Sequence, residues 1–236
     1  MDANELILSI ETSGRIGSVA VSGGANLLGE REFSAPMRHS AEIFGAVGGL
    51  LEQFGKRADE IRQIYISVGP GSFTGLRIAV TMAKTMALAN DVAIVAVDTL
   101  DVIGANAIEY VTSENEDIER IGVILDAKRS QFFAAVYEKQ GQKWEKKLDD
   151  CLLTVKQFHE RFGGDAKSVW LLGEGLVYYK DKFAGDGIEF FDESLWNPRA
   201  SKVYELGFLK AKSGEFADAL TLEPKYIQRP DIKMKK

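Results

Sequence analysis

One cysteine in 236 residues, Cys151, leaves no internal disulfide to form and points to a reducing compartment. The chain has only two histidines, His39 and His159. They lie far apart, with no second histidine at helical spacing, so a histidine-pair metal site is not expected. No Gly-Lys-Ser/Thr closes a Walker A loop, and no Gly-x-Ser-x-Gly elbow is present. No apolar run is long enough to span a bilayer. The start, MDANELILSIE, is acidic before a short apolar run, unlike a signal peptide. Cationic excess is missing too: 29 Lys and Arg stand against 35 Asp and Glu, a net charge of −6. That excludes a surface given over to phosphate contacts, though a local patch stays open. A soluble cytoplasmic protein without a membrane partner is expected. The 45% hydrophobic content supports a core, and the length allows one large domain or two small ones.

The most informative stretch is IYISVGPGSFTGLRIAVTMAKTMALAN, residues 64–90. A β-rich run enters the turn Gly69-Pro70-Gly71-Ser72, and a long apolar helix follows. Ser72 or Thr74 is placed to cap that helix. Gly69 and Gly71 fit a dinucleotide fingerprint, but Thr74 stands where the third glycine belongs. The turn is read as structural, although any helix N-terminus can hold an anion. The helix is apolar nearly all round and must be covered on more than one side. The chain's own sheet can cover one side; another protein can cover the other.

Strands are expected at Leu6–Ile10, Ile16–Val21 and Leu27–Phe33, then a helix from His39 to Phe54. In that helix Ile43, Phe44, Val47, Leu50, Leu51 and Phe54 recur at core spacing. Ala41, Gly45 and Gly49 form a second stripe of small residues that would let another helix approach. A strand at Ile64–Val68, the long helix, a strand at Val92–Val97 and a helix at Thr99–Tyr110 complete the order β-β-β-α-β-α-β-α. Thr112–Glu119 reads as a boundary, giving lobes 1–112 and 113–236. After it come strands at Ile121–Leu125, Gln131–Tyr137 and Lys143–Lys147, a helix at Thr154–Phe162, a strand at Val169–Leu172 and a helix at Ala200–Lys212. The first hairpin aligns on the second without gaps, placing Glu11 opposite Asp126 and Val21 opposite Val136. Internal duplication is the better reading.

Duplicated three-stranded units with an acid at each first turn resemble the actin, Hsp70 and sugar-kinase fold (the ASKHA, RNase H-like class). The expected architecture is α/β, with duplicated βββαβα lobes and a reduced second lobe. In that fold two hairpins face across a cleft and hold ATP phosphates and Mg²⁺. Here Glu11-Thr12-Ser13-Gly14 could be one loop. The second, Asp126-Ala127-Lys128-Arg129-Ser130, has no glycine to bring backbone amides close to phosphate. Glu11 and Asp126 could hold Mg²⁺ through water. The favoured reading is that they end strands and accept from turn amides. Gly173-Glu174-Gly175 could approach an adenosine, but is read as a turn.

Three stretches together, ILSIETSGRIGSVAV, VGPGSFTGLRIAVTMAKTMALA and VDTLDVIGANA, with DAKRSQFFAAVYE, resemble the TsaB (YeaZ) family. This bacterial family serves in making N6-threonylcarbamoyladenosine in tRNA. The resemblance is strong in the N-terminal half and loose beyond it. It implies a non-catalytic subunit that dimerises with the catalytic paralogue TsaD, in a complex that also uses the ATPase TsaE, while TsaC makes the threonylcarbamoyl-adenylate donor. tRNA would be met indirectly, and the lone chain could form a homodimer. Many members carry Asp-Thr-Ser where this chain has Glu11-Thr12-Ser13, which bears on phosphate geometry and not on the fold. No cofactor is required, and weak ATP or ADP binding at Glu11, Thr12, Ser13, Gly14 and Asp126 stays open. The implied partner surface is the helix pair, with His39, Ala41, Ile43, Gly45 and Gly49 on the first helix. Phe73, Thr74, Arg77, Ala79, Met82, Ala83, Met86 and Ala87 are its candidates on the second. No catalytic residue and no metal ligand is assigned. An ATP-using kinase or ATPase of this fold is one alternative, and it lacks a glycine-bearing second loop. A metal-dependent glycopeptidase is the other, and it lacks clustered histidines. The basic tail, with Lys225, Arg229, Lys233, Lys235 and Lys236, reads as a solvated terminus that could touch tRNA.

Overall fold

The structure is a computed structural model that describes residues 5–227 apart from 115, 165, 166, 184 and 186. The tail residues Arg229, Lys233, Lys235 and Lys236 lie outside the described residues.

The first sheet is built from β1 (Leu6–Glu11), β2 (Ser18–Gly23), β3 (Asn26–Glu32), β4 (Ile61–Gly69) and β5 (Ala93–Asp98), in the order β3-β2-β1-β4-β5. Every residue of β1 is buried, because helices cover both faces of the sheet. The two-residue period of a strand divides the work. Leu6, Leu8 and Ile10 face a core with α1 (His39–Gln53) and α2 (Phe73–Asn90), whereas Ile7, Tyr65 and Val95 pack with α3 (Thr99–Ser113) and α6 (Ala200–Lys212).

The second sheet is built from β6 (Arg120–Asp126), β7 (Phe132–Gln140), β8 (Lys143–Leu153), β9 (Val169–Leu172) and β10 (Ile188–Phe190). Its order, β8-β7-β6-β9-β10, repeats that of the first, with antiparallel and parallel pairs in matching places. Its helices are shorter: α4 (Val155–Phe162) and α5 (Leu176–Phe183). Phe132, Phe158 and Phe183 fill the core beneath them, with ring centroids 5.3–6.1 Å apart. This is the two-lobed actin and sugar-kinase architecture with a reduced second lobe.

Four expectations need correction. The gapless hairpin alignment slips by one residue. Leu8 pairs with Val21, whereas its counterpart Val123 pairs with Ala135, because the second turn is one residue shorter. Val21 therefore corresponds to Ala135 and not to Val136. The third strand of the second lobe runs on to Leu153, its alternation hidden by Lys146 at a half-buried position. Phe44 is 72% exposed and not a core residue. The single boundary near 112 does not divide the packing either. α3 packs on β6 and β7 as well as on β4 and β5, while α6 returns to β1, β2 and β5. Ala217 bridges to Ile94, and the Lys225 amide donates to the Val68 carbonyl at 2.7 Å. The segment after α6 thus returns to the first sheet. α5 and β10 were not foreseen; both are short, and the Tyr-Tyr of α5 gives no clear helical period.

Candidate functional site

Two concave regions lie close together: an inter-lobe cleft of about 630 Å³ and a groove of about 570 Å³ between α1 and α2.

The cleft is walled by the β1–β2 turn, the β6–β7 turn, the start of α2, Glu174 and the segment Lys225–Ile227. Glu11 is fully buried behind it. Its Oε1 accepts from the Ser13 amide and hydroxyl, both at 2.5 Å. Its Oε2 makes no hydrogen bond of good geometry; the Ser67 hydroxyl, whose proximity favours the carboxylate, is also left without one. Burial raises the Glu11 pKa above its ordinary 4.5, against the opposing pull of Ser13, Ser67 and Gly14. Thr12 spends its hydroxyl on the Gly75 carbonyl at 2.8 Å. The Ser13 carbonyl accepts the Ser72 amide at 2.7 Å.

The glycines of the GPGSFTG run serve this packing. A Cβ on Gly71 would lie 2.6 Å from the Ser13 carbonyl oxygen, and one on Gly75 would overlap the Thr12 carbonyl oxygen. The run therefore clamps α2 onto the β1–β2 turn. Ser72, not Thr74, is the cap, accepting from the Gly75 amide at 3.3 Å.

Across the cleft, Asp126 accepts from the Lys128 amide at 3.0 Å, Lys128 Nζ at 2.5 Å and the Tyr179 hydroxyl at 2.9 Å. Burial opposes its charge, but these donors hold its pKa below the ordinary value. Tyr179 is pushed up to about 12 by burial and by Asp126. Lys128, Arg129 and Ser130 all take positive φ, at 67°, 55° and 61°. The Arg15 amide donates to Glu174 Oε1 at 2.9 Å, joining the two lobes. These residues do not fit nucleotide phosphates and Mg²⁺. Glu11 is turned inward, Asp126 is paired, and a carboxylate already takes a first-loop amide.

Lys225 Nζ links Asp98 (2.6 Å) to Asp150 (2.8 Å), and Lys146 Nζ links Asp101 (2.5 Å) to Asp150 (2.6 Å). The Tyr137 hydroxyl donates to Asp101 at 2.5 Å. This network fastens β5, α3, β8 and the C-terminal segment together.

The buried charge of Glu11 gives a pH prediction. Its folded pKa is raised, so this group stabilises the fold most below 4.5, and that contribution falls as pH rises through the folded value. Glu11→Gln keeps an acceptor for Ser13 and removes the charge. Urea titration should find it more stable at neutral pH by about 1–3 kcal/mol. The gain should disappear under acid conditions. A neutral-pH loss, or a gain independent of pH, would count against this.

The groove is apolar. Ser40 and Phe44 form its α1 side, and Phe73, Ile78, Met82 and Met86 its α2 side. Ile43 also lines it but is fully buried in the first-lobe core, not on an open partner face as expected. Leu88, further along α2, is 67% exposed. The Arg77 guanidinium carbon sits 3.8 Å from the Phe73 ring centre, and its Nε donates to the Tyr226 hydroxyl at 3.3 Å. Among the expected partner residues, Ala41, Gly45, Phe73, Thr74 and Arg77 are exposed, and Met82 and Met86 are half-buried in the groove. Nothing lies within 4 Å of a Cβ built on Gly45. Others are corrected. His39 is buried, its Nε2 donating to the Gly14 carbonyl at 3.1 Å, and burial lowers its pKa. Ala79 and Ala83 face the chain's own sheet, and Ala87 is half-buried against the same core. Gly49 is half-buried against Arg31.

Phe44, Ile78, Thr81 and Thr85 were missed. The signal was a second i, i+4 row on α2, Arg77-Thr81-Thr85 beside Ile78-Met82-Met86, running parallel to the alanine row. Among the described residues no group of three or more His, Cys, Asp or Glu could hold a metal. His159 packs on Phe183 in the second lobe, and burial raises the Cys151 thiol pKa.

Comparison with known proteins adds a family. The family described as TsaD: tRNA N6-adenosine threonylcarbamoyltransferase matches residues 34–214. The tRNA threonylcarbamoyladenosine biosynthesis protein TsaB of Bacillus subtilis is 29% identical over 232 residues, covering 97% of this chain and 96% of its own. TsaB of Escherichia coli is 24% identical, covering 94% of each chain. The solved structure of YeaZ from Pseudomonas aeruginosa superimposes with a TM-score of 0.78 at 23% identity, over 94% of this chain and 99% of that one.

Proposed function

We propose a role from one premise: this chain belongs to the TsaD family, tRNA N6-adenosine threonylcarbamoyltransferase, and within it to the TsaB (YeaZ) proteins. It takes part in tRNA threonylcarbamoyladenosine biosynthesis. Its part is that of a non-catalytic cytoplasmic subunit. Through the α1–α2 groove it dimerises with a TsaD-like paralogue, and a TsaE-like ATPase joins the same complex. tRNA is met through the partner. The cleft needs no cofactor and binds ATP or ADP weakly at most.

The open groove carries this reading. An apolar face of this kind, with Phe44 standing 72% exposed, marks an interaction site. Two helices can supply the ~800 Å² per partner that a specific interface buries.

Sedimentation of the chain mixed with a TsaD protein from the same source tests it. A one-to-one complex is expected, displacing any homodimer of the lone chain. The chain alone should neither turn over ATP nor cleave glycosylated peptides. Failure to assemble, or ATP turnover lost on Asp126→Asn, would overturn the reading.

A further inference from the structure

The Arg15–Glu174 contact is not needed by the partner reading, and it has a consequence for the cleft. Glu174 lies in the turn between β9 and α5. The amide of the next residue, Gly175, donates to the Ile124 carbonyl of β6 at 3.1 Å, which pins that turn to the second lobe. From there the carboxylate reaches across the cleft, and its Oε1 accepts the Arg15 amide at 2.9 Å. The amide belongs to the β1–β2 turn of the first lobe. A Cβ on the adjacent Gly14 would come within 3.5 Å of the same oxygen. The carboxylate thus lies against the glycine of the first turn, where an incoming anion would have to sit.

Four cations border the cleft, Arg15, Lys128, Arg129 and Lys225, and its two lysines are already engaged. Lys128 is paired with Asp126, and Lys225 with Asp98 and Asp150. A polyphosphate drawn in by the Arg15 and Arg129 guanidiniums would still find the turn amide occupied and a carboxylate beside it. Like charges at contact distance in such a half-enclosed site repel strongly. Burial raises the Glu174 pKa, as expected of an anion held away from water.

We infer that Glu174 is a resident carboxylate that takes the anion place on the first-lobe turn and closes the cleft to polyphosphate ligands. The chain binds pyrophosphate and ATP poorly because that place is filled from within.

The experiment compares wild type with Glu174→Gln and Glu174→Ala, titrating pyrophosphate and then ATP by calorimetry, with a thermal melt of each protein. Both variants are expected to bind at least tenfold tighter than wild type, equivalent to ~1.4 kcal/mol. Glu174→Gln is isosteric and retains an acceptor for the Arg15 amide, so it carries the test if the alanine variant fails to fold. Glu160→Gln, on the exposed face of α4, removes the same charge far from the cleft and should leave binding at the wild-type level. Glu174 variants that bind no tighter than wild type would overturn the proposal. So would submicromolar binding by wild type, or an equal gain in Glu160→Gln. Submicromolar binding by wild type would also count against the weak nucleotide affinity proposed above. The other outcomes leave that affinity and assembly with a TsaD protein untouched, so the two readings are told apart.

Discussion

Gly75→Ala is expected to unfold the chain or to cost about 3 kcal/mol or more, although it adds a single methyl group. In an open helix the same change would stabilise by about 1 kcal/mol, since glycine is the poorer helix former. Here the new Cβ would overlap the Thr12 carbonyl oxygen. The obstacle is backbone, held in place by the strand before it and by the Thr12 hydroxyl bonded to the Gly75 carbonyl at 2.8 Å. No side chain can rotate away to make room. Gly45→Ala is the matched control on α1, where a Cβ meets nothing within 4 Å. Denaturant titration should show opposite signs for the two variants. A Gly75→Ala protein that melts with wild type would mean that the GPGSFTG run does not clamp α2.

The second large effect separates the two sides of the helix pair. Ala83 is fully buried against the first sheet, so Ala83→Arg should prevent folding by burying an unpaired charge. Gly45→Arg and Phe44→Asp place charge on the open side. Both should melt close to wild type. Assembly with a TsaD protein should weaken by about a hundredfold or more, because a charge trapped unpaired in an interface costs on the order of 3–5 kcal/mol. Sedimentation and a thermal melt on the same samples read both quantities. Normal folding with normal assembly would remove the groove from the interface.

The fold was legible because its signals are long and repeated. Leu6–Glu11 and Ile61–Gly69 are apolar runs bounded by turns, and α1, α2 and α6 were expected within a residue or two of where they lie. Duplication was visible in the acids at Glu11 and Asp126. What stayed hidden depends on contacts remote in sequence. The Arg15–Glu174 contact spans 159 positions, so nothing local announces it. Glu174 itself looked like part of an ordinary glycine turn. Lys225 read as one cation of a solvated tail, yet it joins Asp98 and Asp150. On α2, alanines at intervals of four suggested a partner seam. Small residues serve close approach equally well against the chain's own sheet, and that is where Ala79 and Ala83 lie. On α1, Phe44 was read as core from its spacing, although Ile43 beside it takes the inward place.

Hydrogen exchange of this chain, alone and saturated with a TsaD protein, tests the central claim most directly. New protection is expected on residues 40–49 of α1 and 73–86 of α2, the segments that carry the groove-lining side chains. The exposed faces of β8, α4 and α5 should exchange as before. Protection confined to the second lobe, with the α1–α2 face unchanged, would contradict the account.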